Sequence, residues 1–74
     1  MLEQEIVEIL KQQNEEFKKL ALEHRELDTR LSEITKKPYL TPEEEVEKKR
    51  MQKEKLMKKD KMADLIREYK KNHS

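Results

Sequence analysis

Nine positions constrain the first half of this chain more than anything else in it. Ile6, Leu10, Gln13, Phe17, Leu20, His24, Leu27, Leu31 and Ile34 follow one another at alternating spacings of four and three. That rhythm draws one stripe down a helix and holds it for four heptads, with only Gln13 and His24 polar. The spacing predicts one unbroken helix over Glu3 to Lys36. At 1.5 Å per residue it would be about 50 Å long, and a helix of that length needs a partner along its seam.

The stretch "TKKPYLTPEEE" follows. Pro38 disfavours helix at Lys37, which places a loop over 37–41. Thr41, Pro42 and Glu44 then supply an N-cap, a first-turn proline and a capping-box glutamate. Glu43, Glu44 and Glu45 suit the positive end of a helix dipole. A second helix is therefore expected over Pro42 to Lys71, with a frayed tail at 72–74. On a helical wheel Met51, Met62, Leu65, Ile66 and Tyr69 share its inner face, and Leu56 lies to one side. Lys55 and Lys58 fall within that same face.

Two helices of similar length joined by a short loop predict an all-α fold, an antiparallel coiled-coil hairpin. Opposed residues would then have numbers summing to about 80. The expected seam is Ile6, Leu10, Phe17, Leu20, Leu27, Leu31 and Ile34 against Met51, Leu56, Met62, Leu65, Ile66 and Tyr69. His24 comes level with Lys55 and Leu56.

Composition agrees with helix and bounds the core. Of 74 residues 47% are charged and 32% apolar, glycine and cysteine are absent, and net charge is only +1. So small a chain nets roughly 3–5 kcal/mol from its own core, and no disulfide can add to it. Self-association is the expected remedy. Leu2, Val7 and Ile9 widen the apolar face near the N-terminus and suit a four-helix arrangement. Residues 1–35 sum to −4 and residues 36–74 to +5, which favours pairing of the halves. No apolar run reaches membrane-spanning length, and the acidic start "MLEQEIVEIL" lacks the pattern of a secretory signal. A cytoplasmic location is expected, with no membrane partner.

Two features could carry chemistry. His24 and Asp28 lie one helical turn apart, and Lys55 and Asp60 can approach from the second helix. A polar layer of this kind sets register and oligomer state in a coiled coil. Two histidines, one near the C-terminus, do not make a metal site. The other feature is the basic run Lys48, Lys49, Arg50, Lys53, Lys55, Lys58, Lys59 and Lys61, set against Glu54 and Asp60 for +6. Such a run can contact phosphates, yet no aromatic lies within it to stack bases. Lysine stems covering a seam are the plainer reading.

Together "FKKLALEHRELDTRL" and "RMQKEKLMKKDKM" resemble the YdcH-like family of small, uncharacterised bacterial proteins. Phe17, Leu20, His24, Leu27 and Asp28 match the first half of its pattern. Met51, Lys55, Leu56, Lys59, Asp60 and Met62 match the second. The resemblance covers about residues 15–70, and Lys58 departs from it where the family has leucine. It implies a helical hairpin with no established activity, cofactor or partner.

With no glycine loop and no nucleophile–base pair, no enzymatic activity or cofactor is expected. The leading functional expectation is a small protein-interaction or adaptor module. Its partners would be a second copy and an unidentified protein. Nucleic-acid binding through the second helix is the alternative.

Overall fold

A computed structural model describes residues 2–73. It is all-helical in this range, with α1 at Glu3–Gln13, α2 at Glu15–Thr35 and α3 at Pro42–Asn72. Three helices therefore stand where the sequence led us to expect two. The expected helix over 3–36 is broken at Asn14, whose backbone is extended (φ −117°, ψ 109°). The Asn14 side chain accepts a hydrogen bond from the Phe17 backbone N–H at 3.0 Å, the standard N-cap arrangement. Glu15 and Glu16 fill the first turn of α2, where the dipole favours them. The break has a local cause: asparagine caps a helix better than it continues one.

The second boundary follows its chemistry closely. Thr41 accepts from Glu44 N–H and Glu44 accepts from Thr41 N–H, each at 3.1 Å, with Pro42 at the first turn. Upstream, Lys37 N–H reaches Ile34 carbonyl at 3.1 Å, and the Lys37 ammonium pairs with Glu44 across the loop. At the other end α3 runs one residue past Lys71, the expected end. His73 N–H donates to Tyr69 carbonyl at 3.0 Å and its ring stacks on Tyr69 at 4.0 Å. These contacts lie in the segment 72–74 where a frayed tail was expected; Ser74 lies outside the described residues.

Along the molecule, α3 sets the length: 31 residues make about 46 Å, against a longest extent of 48 Å. α2 lies beside it in the opposite direction, since Glu23 pairs with Lys58 and Asp28 with Lys55. The Glu23–Lys58 register, a sum of 81, would carry Ile6 beyond the end of α3 at Asn72 if α1 simply continued α2. Ile6 is instead fully buried. α1 therefore turns at Asn14 and lays Ile6 and Leu10 against Phe17 and Ile66.

The apolar interior is divided. One cluster joins Ile6, Leu10, Phe17 and Ile66, with Val7, Met62, Leu65 and Tyr69 around it. The other joins Leu27, Leu31 and Met51, with Ile34 beside it. Leu20 is buried as well. Burial corrects one seam assignment. Leu56 is 59% exposed, because it sits well round the helix from Met51 and Met62. Gln13, in the heptad stripe, is exposed at the end of α1.

Candidate functional site

Between the two clusters lies a polar waist. Glu23 and Lys58 meet at 2.8 Å on one flank. Asp28 and Lys55 meet at 2.5 Å on the other. The four side chains come from positions beside the heptad stripe on α2 and from the inner face of α3. Lys58 is 27% exposed and Lys55 33%, so both stems are largely covered and their charged ends reach outward. The Lys58 ammonium leaves the seam sideways to Glu23.

His24 sits between these pairs on α2. Its Nε2 is shielded from solvent and has no hydrogen-bond partner. A ring nitrogen left in that state costs stability rather than supplying it. The expected layer thus assembles only in part. Asp28 and Lys55 come together, His24 lies beside them with Nε2 unpaired, and Asp60 is exposed on the outer side of α3. Asp60 is five residues beyond Lys55, and a rotation of that size turns it away from the seam. Glu23 was missed. Its only signal was the register, which sets it opposite Lys58.

The electrostatics follow the pairs. The Lys58 hydrogen bond, helped by its charge, holds the Glu23 carboxyl below the ordinary glutamate range. The hydrogen bond and charge of Lys55 do the same to Asp28, with His24 adding slightly. In the loop, Glu44 is lowered by the Lys37 hydrogen bond and by the Thr41 backbone, while Lys37 is raised by Glu44. Lowered carboxylates stabilise the fold above their unfolded pKa. That contribution disappears as pH falls through the folded value.

The basic run is divided by the same geometry. Lys55 and Lys58 turn toward α2 carboxylates, while Lys49, Arg50, Lys53, Lys59 and Lys61 lie exposed and Lys48 is half-buried. On either side of the seam a shallow groove opens. One is lined by Glu23, Glu26, Leu27, Arg30, Met57 and Lys58, among others. The other includes Leu31, Gln52, Lys55, Leu56 and Lys59. Met57 and Leu56, both more than half exposed, stand one in each.

Among the described residues no three His, Cys, Asp or Glu side chains are gathered to hold a metal ion, and no helix is long and apolar enough to cross a membrane. Fold and site together define a small all-helical protein with a divided apolar interior. The chain belongs to the family described as Protein of unknown function (DUF465), whose model matches residues 17–66. That span begins at Phe17 and ends at Ile66, so it takes in α2, the loop and most of α3 and leaves α1 outside. Comparison with curated proteins and with solved structures gave no match.

Proposed function

We propose that this protein is a cytoplasmic, non-enzymatic interaction or adaptor module, which works by presenting helix faces to a protein partner and to a second copy of itself. Its working unit on this reading is the α2–loop–α3 antiparallel hairpin, paired as a coiled coil. The observation that carries the proposal is exposed apolar surface on helices that are otherwise charged: Leu22, Val46, Leu56 and Met57 are each more than half exposed. Methionine and leucine lining shallow grooves suit adaptable helix packing. Glu23, Asp28, Lys55 and Lys58 are engaged in ion pairs between α2 and α3, a structural use. The narrower affiliation, with bacterial YdcH-like proteins, rests on the residue pattern through His24, Asp28, Lys55, Leu56, Lys59 and Asp60.

Pull-down from the native cytosol, with and without nuclease, tests this. A protein partner that survives nuclease treatment supports the module. Loss of every partner on nuclease treatment overturns it in favour of a second reading. That reading, nucleic-acid binding through α3, draws on the exposure of Lys49, Arg50, Lys53, Lys59 and Lys61. Its affinity would fall steeply with salt, because phosphate contacts release counterions.

A further inference from the structure

We propose that the apolar surface formed by Phe17, Ile66, Met62 and Leu65 is a docking surface for α1 of a second copy, reached by straightening the chain at Asn14. The inference rests on the reading of this protein as a self-associating helical module and names the surface it uses.

Four observations converge. First, the heptad rhythm passes through the break without a change of phase: Leu10, Gln13, Phe17 and Leu20 keep spacings of three, four and three. A helix continuous through Asn14 would present one unbroken stripe. Second, the break is a single residue wide, between Gln13 and Glu15, and holds neither glycine nor proline. Its side-chain support is the hydrogen bond from Phe17 N–H to Asn14. Third, in a straightened chain Ile6 would project past the end of its own α3, as the Glu23–Lys58 register requires. Its own Ile66 would then be beyond reach, whereas a second copy could receive it. Fourth, α1 lies outside the residues that match the family, and the surface it covers lies almost wholly inside them.

The exchanged assembly uses the contacts already present. Ile6 and Leu10 of each chain cover the Phe17–Ile66 cluster of the other, and each chain gains helical hydrogen bonds across residue 14. Exchange of an identical element is a low-cost route to a dimer for this reason.

Two substitutions at the hinge act in opposite directions. Asn14→Leu removes the cap and continues the helix. Glu15→Pro fits the first turn of a separate α2 but opposes a continuous helix, because its ring clashes with the preceding turn. Sedimentation velocity over a concentration series should show dimerisation strengthened about thirtyfold by Asn14→Leu, the scale of losing one cap in each of two chains. Glu15→Pro should be monomeric. In a mixed isotope-labelled sample of the Asn14→Leu dimer, Ile6 methyls should show contacts to the Phe17 ring of the other chain. Should Asn14→Leu aggregate, Asn14→Ala makes the same test more gently. A monomeric Asn14→Leu or Asn14→Ala protein overturns the proposal. So does a dimer whose Ile6–Phe17 contacts stay within one chain, or equal dimerisation by Glu15→Pro. A failed exchange leaves the pull-down result standing, so the two proposals fail separately.

Discussion

The two ends of this molecule solve the same burial problem with different means. At the Phe17 end three helices meet, and Ile6 and Phe17 are both fully buried. At the Met51 end only α2 and α3 are present; Leu27, Leu31 and Met51 are buried to the same degree as Leu10 and Ile66, but none is fully enclosed as Ile6 and Phe17 are. The third helix completes the enclosure of Ile6 and Phe17. The difference shows what α1 contributes: it turns half of a marginal two-helix body into a closed core. Ion pairs Glu23–Lys58 and Asp28–Lys55 flank the seam along the stretch that joins the two ends.

Breaking the closed end should have the largest effect. Phe17→Ala removes the largest fully buried side chain, and such truncations cost about 3–5 kcal/mol. That equals the whole stability expected of a core this small, so circular dichroism should show a largely unfolded chain at 25 °C. Leu31→Ala at the open end should cost about 2 kcal/mol, the low end for such truncations, because only two helices line the site and its neighbours can close over the gap. Its denaturation midpoint should fall while the helices persist in buffer.

The waist sharpens the comparison from the other side. His24→Leu replaces an unpaired ring nitrogen with apolar volume and should raise stability by roughly 1–3 kcal/mol in thermal melts. It should also broaden the distribution of oligomers in analytical ultracentrifugation, since a polar group in a seam restricts register. Smaller still is the effect of acid. Glu23, Asp28 and Glu44 have lowered carboxyl pKa values, so their contribution is complete above the ordinary carboxylate range. It should be lost as pH falls below about 4. Asp28→Asn with Glu23→Gln should flatten that part of the stability profile, leaving Glu44 as the remaining lowered group of the three.

Periodicity made much of this legible. The heptad marked Ile6, Leu10, Phe17, Leu20, Leu27 and Leu31, all of them buried, and the capping residues located the start of α3 at Pro42. What periodicity could not reveal was the turn at Asn14, because a phase that runs through a break hides it. The local signal was there: asparagine followed by two glutamates is an N-cap with an acidic first turn. Long-range apolar order outweighed it in the reading of a single helix. Leu56 was misplaced although the helical wheel already set it to one side of the inner face of α3, and it is more than half exposed. Lys58 was legible as an inner-face position. Its partner Glu23 depended on the register between two helices, which no local pattern encodes.

Native-state amide exchange reads the contrast between the two ends directly. Amides of α2 and α3 around Phe17 and Ile66 should be the slowest to exchange, and those around Leu31 and Met51 should open at lower free energy. In a chain truncated before Asn14, protection at the Phe17 end should fall to the level of the Met51 end. Equal protection at both ends of the full chain, or slower exchange around Met51, would contradict the account.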